Sequence, residues 1–169
     1  MQCTRCGLDV PDDASFCMSC GLRIETPSTI RRPEDIDLDW VLKCMVSIGY
    51  DGEITEIEGP KFITARHEKH PNLIVELRSN VGLVVPRLYY PSVSGADLSN
   101  IEFLRAVNSF NATSLWWTGW VADDSDFGAN TEIALGTTMS EARFTQLLSN
   151  ALDGFFGNVE SSGLVPFLR

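Results

Sequence analysis

Four of the five cysteines stand in the first twenty residues, as Cys3-Thr-Arg-Cys6-Gly7 and Cys17-Met-Ser-Cys20-Gly21, with ten residues between Cys6 and Cys17. Each CxxC turn can offer two thiolates to one ion, and two such turns complete a tetrahedral shell. The glycine after each pair suits a backbone that bends back with positive φ, so that amides point at the sulfurs. Four thiolates with no other ligand select zinc, with iron as the alternative. One ion, Zn2+, is expected per chain. A closed all-thiolate shell leaves no position for water, so the metal is structural rather than catalytic. The stretch Gly7–Phe16 is too short to build a core, and Val10, Phe16 and Leu22 are the apolar residues available to cover the metal. Folding of this piece should therefore rest on metal binding. Two disulfides would suit a secreted chain, but Met1-Gln-Cys opens neither a basic nor an apolar leader. A redox CxxC would be a single motif beside a strand and a helix.

This segment resembles the small zinc-ribbon modules at the N-termini of many bacterial and archaeal proteins, through Cys3, Cys6, Gly7, Phe16, Cys17, Cys20 and Gly21. The resemblance implies an accessory interaction module.

No other constellation in the chain carries chemistry as sharply. His67-Glu-Lys-His70 has its histidines three apart beside Pro71, whereas the helical zinc motif needs four, so it reads as a solvated hairpin loop. Asp123, Asp124 and Asp126 hint at a calcium loop, but Ala134 stands where the closing glutamate would be needed. Asn111-Ala-Thr113 is a sequon at a helix end. Asn108 and Asn111 read as residues satisfying backbone groups where that helix turns into a strand. Cys44 falls on an apolar helical stripe and reads as a buried, inert thiol. No Ser/His/Asp, Cys/His or phosphate-loop set appears, so a non-enzymatic role is expected.

The net charge of −10 opposes a nucleic-acid surface, since the one basic doublet, Arg31-Arg32, lies in a linker. No apolar run reaches the length of a membrane span. With 44% hydrophobic residues there is material for one core, and the thiols suggest a reducing cytoplasm.

The elements divide the chain into the ribbon (1–24), a linker (25–36, broken by Pro27 and Pro33), an α+β body (37–157) and a tail (158–169). Helical spacing predicts a helix over 37–48, capped by Asp37 and closed by Gly49. Strands follow at 54–57, 62–67, 73–77 and 83–90, with Pro86 marking an edge or a bulge. A second helix spans 97–112, burying Ile101, Leu104 and Val107, with Phe103 and Phe110 as further candidates for its buried side. Strands at 115–121 and 131–137 come next. The last helix repeats Phe144, Leu147, Leu148, Ala151, Leu152 and Phe155, with Thr138 or Ser140 as cap and a frayed end at Gly154 and Gly157. The order α-β-β-β-β-α-β-β-α with short turns implies an antiparallel sheet with helices on one face. No internal repeat is expected. Alternation along 115–121 puts Trp117 on one face and Trp116 and Trp120 on the other. That second face needs a cover: a partner chain, a dimer mate, a bound peptide, or the chain's own tail or ribbon.

The order resembles the type III secretion chaperone-like fold, and within it the YbjN-like family, over residues 37–156. Phe103-Leu-Arg-Ala-Val-Asn-Ser-Phe-Asn111, with two strands and a helix after it, carries the likeness. The resemblance implies a regulator without established enzymatic activity, and chaperones of the same fold are acidic homodimers that bind extended client segments. The expected function is a protein-binding adaptor or chaperone-like regulator with a protein or peptide partner, and with Trp116 and Trp120 at its interface. The alternatives are a zinc-ribbon nucleic-acid or transcription-associated protein, and an enzyme with an unrecognised pocket.

Overall fold

The structure is a computed structural model that describes residues 2–10, 14, 16–23, 30–56, 59–69, 71–122 and 126–168. Part of the expected linker belongs to the body. Ile30–Arg31 form β1, which pairs antiparallel with β9 (Met139–Ser140), and Ile36 is buried in the main core. Helix α1 (Leu38–Ser47) starts where Asp37 accepts a hydrogen bond from the Trp40 amide, and it buries Trp40, Val41, Cys44 and Met45. Four strands follow: β2 (Asp51–Glu56), β3 (Lys61–Arg66), β4 (Leu73–Arg78) and β5 (Leu83–Tyr90). Next come α2 (Ile101–Thr113), β6 (Thr118–Val121), β7 (Phe127–Asn130), β8 (Ile133–Ala134) and α3 (Glu141–Ser162).

The main sheet has the order β2-β3-β4-β5-β7-β6, and every pair in it is antiparallel. Alternation decides which residues meet the helices. Ile63, Ala65, Leu73, Val75, Val84, Leu88, Phe127 and Ala129 share one side and are all buried. The helix layer fills the space above them with Phe103, Phe110, Phe144 and Phe155, each fully buried. The α+β architecture with helices on one face is as expected.

Pro86 gives neither an edge nor a bulge, because β5 lies inside the sheet. β7 and β8 run along β5 in a single register, Arg87↔Asn130 and Val84↔Ile133. The ladder is interrupted between them. The Thr131 amide donates to the Pro86 carbonyl at 3.1 Å, but proline has no N–H to return. One missing donor thus divides what would otherwise be one strand.

Three helix expectations change. α3 passes through Gly154 and Gly157 without fraying and ends at Gly163, whose φ of 79° closes it. Residues 158–162 are therefore helix rather than tail. The rest of the tail docks: Val93 donates to the Phe167 carbonyl, and Phe167 packs on Phe103 at 5.4 Å. α2 starts four residues later than expected, capped by Asn100, and its buried stripe is Phe103, Ala106, Val107 and Phe110. Phe103, Val107 and Phe110 are buried as expected, whereas Ile101, the first residue of the helix, is exposed and Leu104 is half-buried.

Candidate functional site

Each cysteine knuckle is built by the same bonds. In the first, the Cys3 amide donates to the Leu8 carbonyl at 2.8 Å and the Gly7 amide to the Cys3 carbonyl at 2.8 Å. In the second, Cys17 donates to Leu22 at 2.7 Å and Gly21 to Cys17 at 2.9 Å. Gln2 pairs with Asp9 in the first, and Phe16 with Arg23 in the second. Gly7 and Gly21 have φ of 70° and 68°, the left-handed conformation that the turn requires. The knuckles are thus an internal repeat, contrary to expectation. Its sequence signal is the shared Cys-x-x-Cys-Gly-Leu at 3–8 and 17–22.

The repeat brings all four sulfurs to one point. Every Sγ lies within 4.8 Å of the others, and Cys3–Cys20 and Cys6–Cys17 are each 3.6 Å apart. Four sulfurs at 2.3 Å from one ion would stand about 3.8 Å apart in a tetrahedron. The cluster therefore has the dimensions of a closed zinc shell. Its electrostatics call for a cation as well. The amides of Arg5 and Cys6 pull Cys3 down to about 6, and those of Cys20 and Ser19 lower Cys17. Cys20 receives a lowering hydrogen bond from Leu22, yet burial and the neighbouring sulfurs push it up to about 12. Four such close thiolates repel one another, and a doubly charged ion removes that penalty. Zinc would be held by Cys3, Cys6, Cys17 and Cys20, and would supply a structural cross-link. Val10 is buried against the cluster with Leu22 partly so, but Phe16 faces solvent at 58% exposure and does not cover the metal.

The second candidate lies on the side of the sheet away from the helices. β6 begins only at Thr118, because Ser114 caps a turn by accepting from the Trp117 amide. The three tryptophans preceding Val121 therefore separate. Trp117 is buried and donates its indole N–H to the Ala151 carbonyl at 2.7 Å. Trp116 precedes the strand and lies beside Gly154 of α3, so it does not share a strand face with Trp120. Trp120 alone projects from the open side. A Cβ on Gly128 would stand 2.7 Å from its Cζ2 and Nε1, so the indole rests directly on the Gly128 backbone. Tyr89 meets it edge-on, with centroids 6.0 Å apart, and is 43% exposed.

A charge network extends from Arg87, two residues from Tyr89, along the same face of β4 and β5. Glu76 bridges Arg87 at 2.6 Å and Arg78 at 3.0 Å, while Arg78 also reaches Glu132 at 3.7 Å. The hydrogen bond from Arg78 and the two guanidinium charges hold the Glu76 carboxyl below its usual range, against the opposing effect of burial. Val85, cross-strand from Glu76, is buried on this side among these long side chains.

The remaining candidates have structural roles. Asn111 donates to the Gly119 carbonyl at 3.0 Å and accepts from the Gly119 amide at 2.7 Å. Asn108 is exposed. His67 packs on Tyr50 and accepts the Lys69 amide, which orders its loop. Asp126 accepts the Ser92 amide. His70, Asp123 and Asp124 lie outside the described residues. Cys44 is buried, and desolvation, reinforced by Glu141, pushes its thiol up to about 12.

The zinc-ribbon domain family matches residues 2–24. No curated protein matches the chain. Among solved structures, the body is similar to YbjN from E. coli, described as a proposed transcription regulator. That likeness has a TM-score of 0.57 at 12% identity, over 79% of this chain and 96% of the other. The chain therefore joins a zinc-ribbon domain to a body with the YbjN fold.

Proposed function

We propose that this chain is a non-enzymatic protein-binding adaptor or chaperone-like regulator. One structural zinc per chain holds its ribbon, and the body recognises a protein or peptide. The observation that carries the reading is the Tyr89–Trp120 pair, seated on Gly128 on the sheet side opposite the helices. Large aromatics presented on a rigid strand are the usual anchors of protein interfaces. The tail, which could have covered them, docks on the helix side against Phe103. Among the described residues the one group of His, Cys, Asp and Glu side chains able to hold a metal is the four-cysteine cluster. A closed shell of that kind favours a scaffold over a catalyst. Free thiols serving as ligands fit a cytoplasmic setting, and no helix of the described residues is long and apolar enough to cross a membrane. A homodimer through the body is part of the reading.

The test is affinity purification with the intact chain, Trp120→Ala, and a Cys17→Ser/Cys20→Ser double variant. Partners lost with Trp120→Ala belong to the body, and those lost with the double variant belong to the ribbon. A partner set unchanged by both would overturn the reading, and light scattering checks the dimer. A second reading, direct nucleic-acid binding, draws on the ribbon and on the description of YbjN. Against it stand a net charge of −10 and only Arg5 and Arg23 as ribbon cations. Salt-dependent retention of nucleic acid on a filter at low salt would reverse that preference.

A further inference from the structure

The two ends of the main sheet are finished differently. In an antiparallel ladder, successive residues send their backbone groups to opposite sides. The bond from Thr131 to the Pro86 carbonyl shows that even-numbered residues of β5 face β7 and β8. Carried through Ala129↔Leu88 and Trp120↔Gly128, the alternation makes Gly119 and Val121 the outward-facing residues of β6. Asn111 holds both the N–H and the C=O of Gly119, as this requires. That edge is closed by α2.

Carried the other way, through Glu76↔Val85, Ile63↔Val75 and Glu53↔Thr64, the same alternation turns Asp51, Glu53 and Thr55 toward β3. Gly52, Ile54 and Glu56 then face out. Among the described residues no hydrogen bond joins these outward groups to another element. Asp51 and Glu53 project on the open side of the sheet, and with Glu56 they are exposed and in no described salt bridge. Beside them a groove of about 500 Å³ is lined by Asp51, Glu53, Thr64, Arg66, Asn72 and Ile74.

We propose that the outer edge of β2 takes an extended basic peptide segment as an added strand. Lys or Arg at alternate positions would stand opposite Asp51 and Glu53, their stems along the groove. The intervening residues, opposite Gly52 and Ile54, would be apolar or small. An added strand meets its neighbour in directly opposed pairs, so charge sign selects the occupant. A second copy pairing through β2 about Gly52 would oppose Asp51 to Glu53, and one pairing about Glu53 would oppose that residue to itself, while the chains would also repel at −10 each. The inference rests on the body being a protein-binding module, but it concerns a different surface. β2 and β6 are separated by five strand spacings, about 24 Å.

The test uses the full zinc-loaded chain and fluorescence anisotropy at physiological salt. The probes are a labelled peptide alternating Lys with Val or Thr, a block peptide of the same composition, and an alternating Glu peptide. The alternating Lys peptide should bind at least tenfold more tightly than the block peptide. Glu53→Lys should weaken it at least tenfold, and Asp51→Lys/Glu53→Lys should turn preference to the Glu peptide. Ile54→Pro removes an outward N–H without touching the β3 ladder, and should abolish binding while a thermal melt shows the body folded. If that variant does not fold, the charge reversals carry the test. Trp120→Ala should leave peptide affinity unchanged, so failure here and failure of the aromatic interface are separable. Equal binding of both Lys peptides, indifference to Glu53→Lys, or no binding at millimolar peptide would overturn the proposal. So would a dimer that Ile54→Pro dissociates, which would assign the edge to a second copy.

Discussion

Asn111→Ala should destabilise the body by about 1–3 kcal/mol. The side chain makes two hydrogen bonds to one residue, at 2.7 Å from the Gly119 amide and 3.0 Å to its carbonyl. A net value of about 0.5–1.5 kcal/mol for each gives that range. Gly119 is buried but Asn111 is exposed, so water can reach the freed groups in the alanine variant and the cost should fall in the middle of that range. The clamp also depends on close approach, since a Cβ on Gly119 would come within 2.8 Å of the Phe127 ring. Urea unfolding followed by tryptophan fluorescence reads the effect, because all four tryptophans lie in the body. With a urea slope of about 2 kcal/mol/M, the midpoint should fall by about 0.5–1.5 M. Asn111→Asp keeps the acceptor and loses the donor, so it should lose part of this. Asn108→Ala should stay within about 0.5 kcal/mol, as an exposed substitution does. Equal midpoints for Asn111→Ala and Asn108→Ala would refute the assignment of edge closure to Asn111, and with it the sheet parity that identifies the open edge of β2.

Chelation should release one zinc per chain, measured by a colorimetric metal assay, and unfold the ribbon while the body keeps its melting temperature. The ribbon's buried cluster is small and separate from the main core, so the ion supplies most of its folding energy; a melting temperature of the body that falls with the metal would contradict this. Glu76 has a carboxyl lowered in the folded state by Arg78 and Arg87, so its contribution is fully present above the unfolded value of about 4.3 and is lost as pH falls through the lowered folded value. The stability gap between wild type and Glu76→Gln should therefore be open at pH 7 and shrink below about pH 4, and a gap independent of pH would exclude the linkage. Cys44, pushed up to about 12 by burial, should remain silent to a thiol reagent at pH 8 after chelation, reacting only on denaturation. Five fast thiols in the folded, chelated chain would show that its burial is wrong.

Features set by local chemistry could be read before the structure. The knuckles are local, since each depends on a turn of a few residues with one glycine, and the four ligands follow from spacing alone. Asp37 and Ser140 were readable as caps for the same reason: a short polar side chain precedes an apolar stripe at helical period. What could not be read depends on distant partners. Gly154 and Gly157 interrupt propensity, but α3 continues because Phe155, Val159 and Ser162 are buried beyond them. Ile30–Arg31 look like linker in isolation and become a strand only because Met139–Ser140 lie beside them. The strand expected over 115–121 failed at its start. Ser114 captures the Trp117 amide, and the turn so formed delays β6 by three residues, which removes Trp116 from the face of Trp120.

The same dependence explains why the aromatic face could be named only in part. A period of two finds Trp120, but its partners come from other strands. Tyr89 arrives through the pairing of β5 with β7, and Gly128 through that of β7 with β6. Gly128 is the residue that makes the site. It leaves bare backbone where any side chain would lift the indole, and so holds Trp120 against the sheet with Tyr89 at its edge. A tryptophan held this way has little rotamer freedom left to lose on binding, so more of its contact area can appear as affinity. At the opposite end of the sheet, β2 offers backbone and charge instead of rings. Glycine serves there too, because a Cβ on Gly52, between Asp51 and Glu53, would come within 2.9 Å of Ala65 on β3. One sheet thus carries two surfaces of different chemistry, an aromatic pair at one end and an acidic edge strand at the other, each proposed for its own kind of partner.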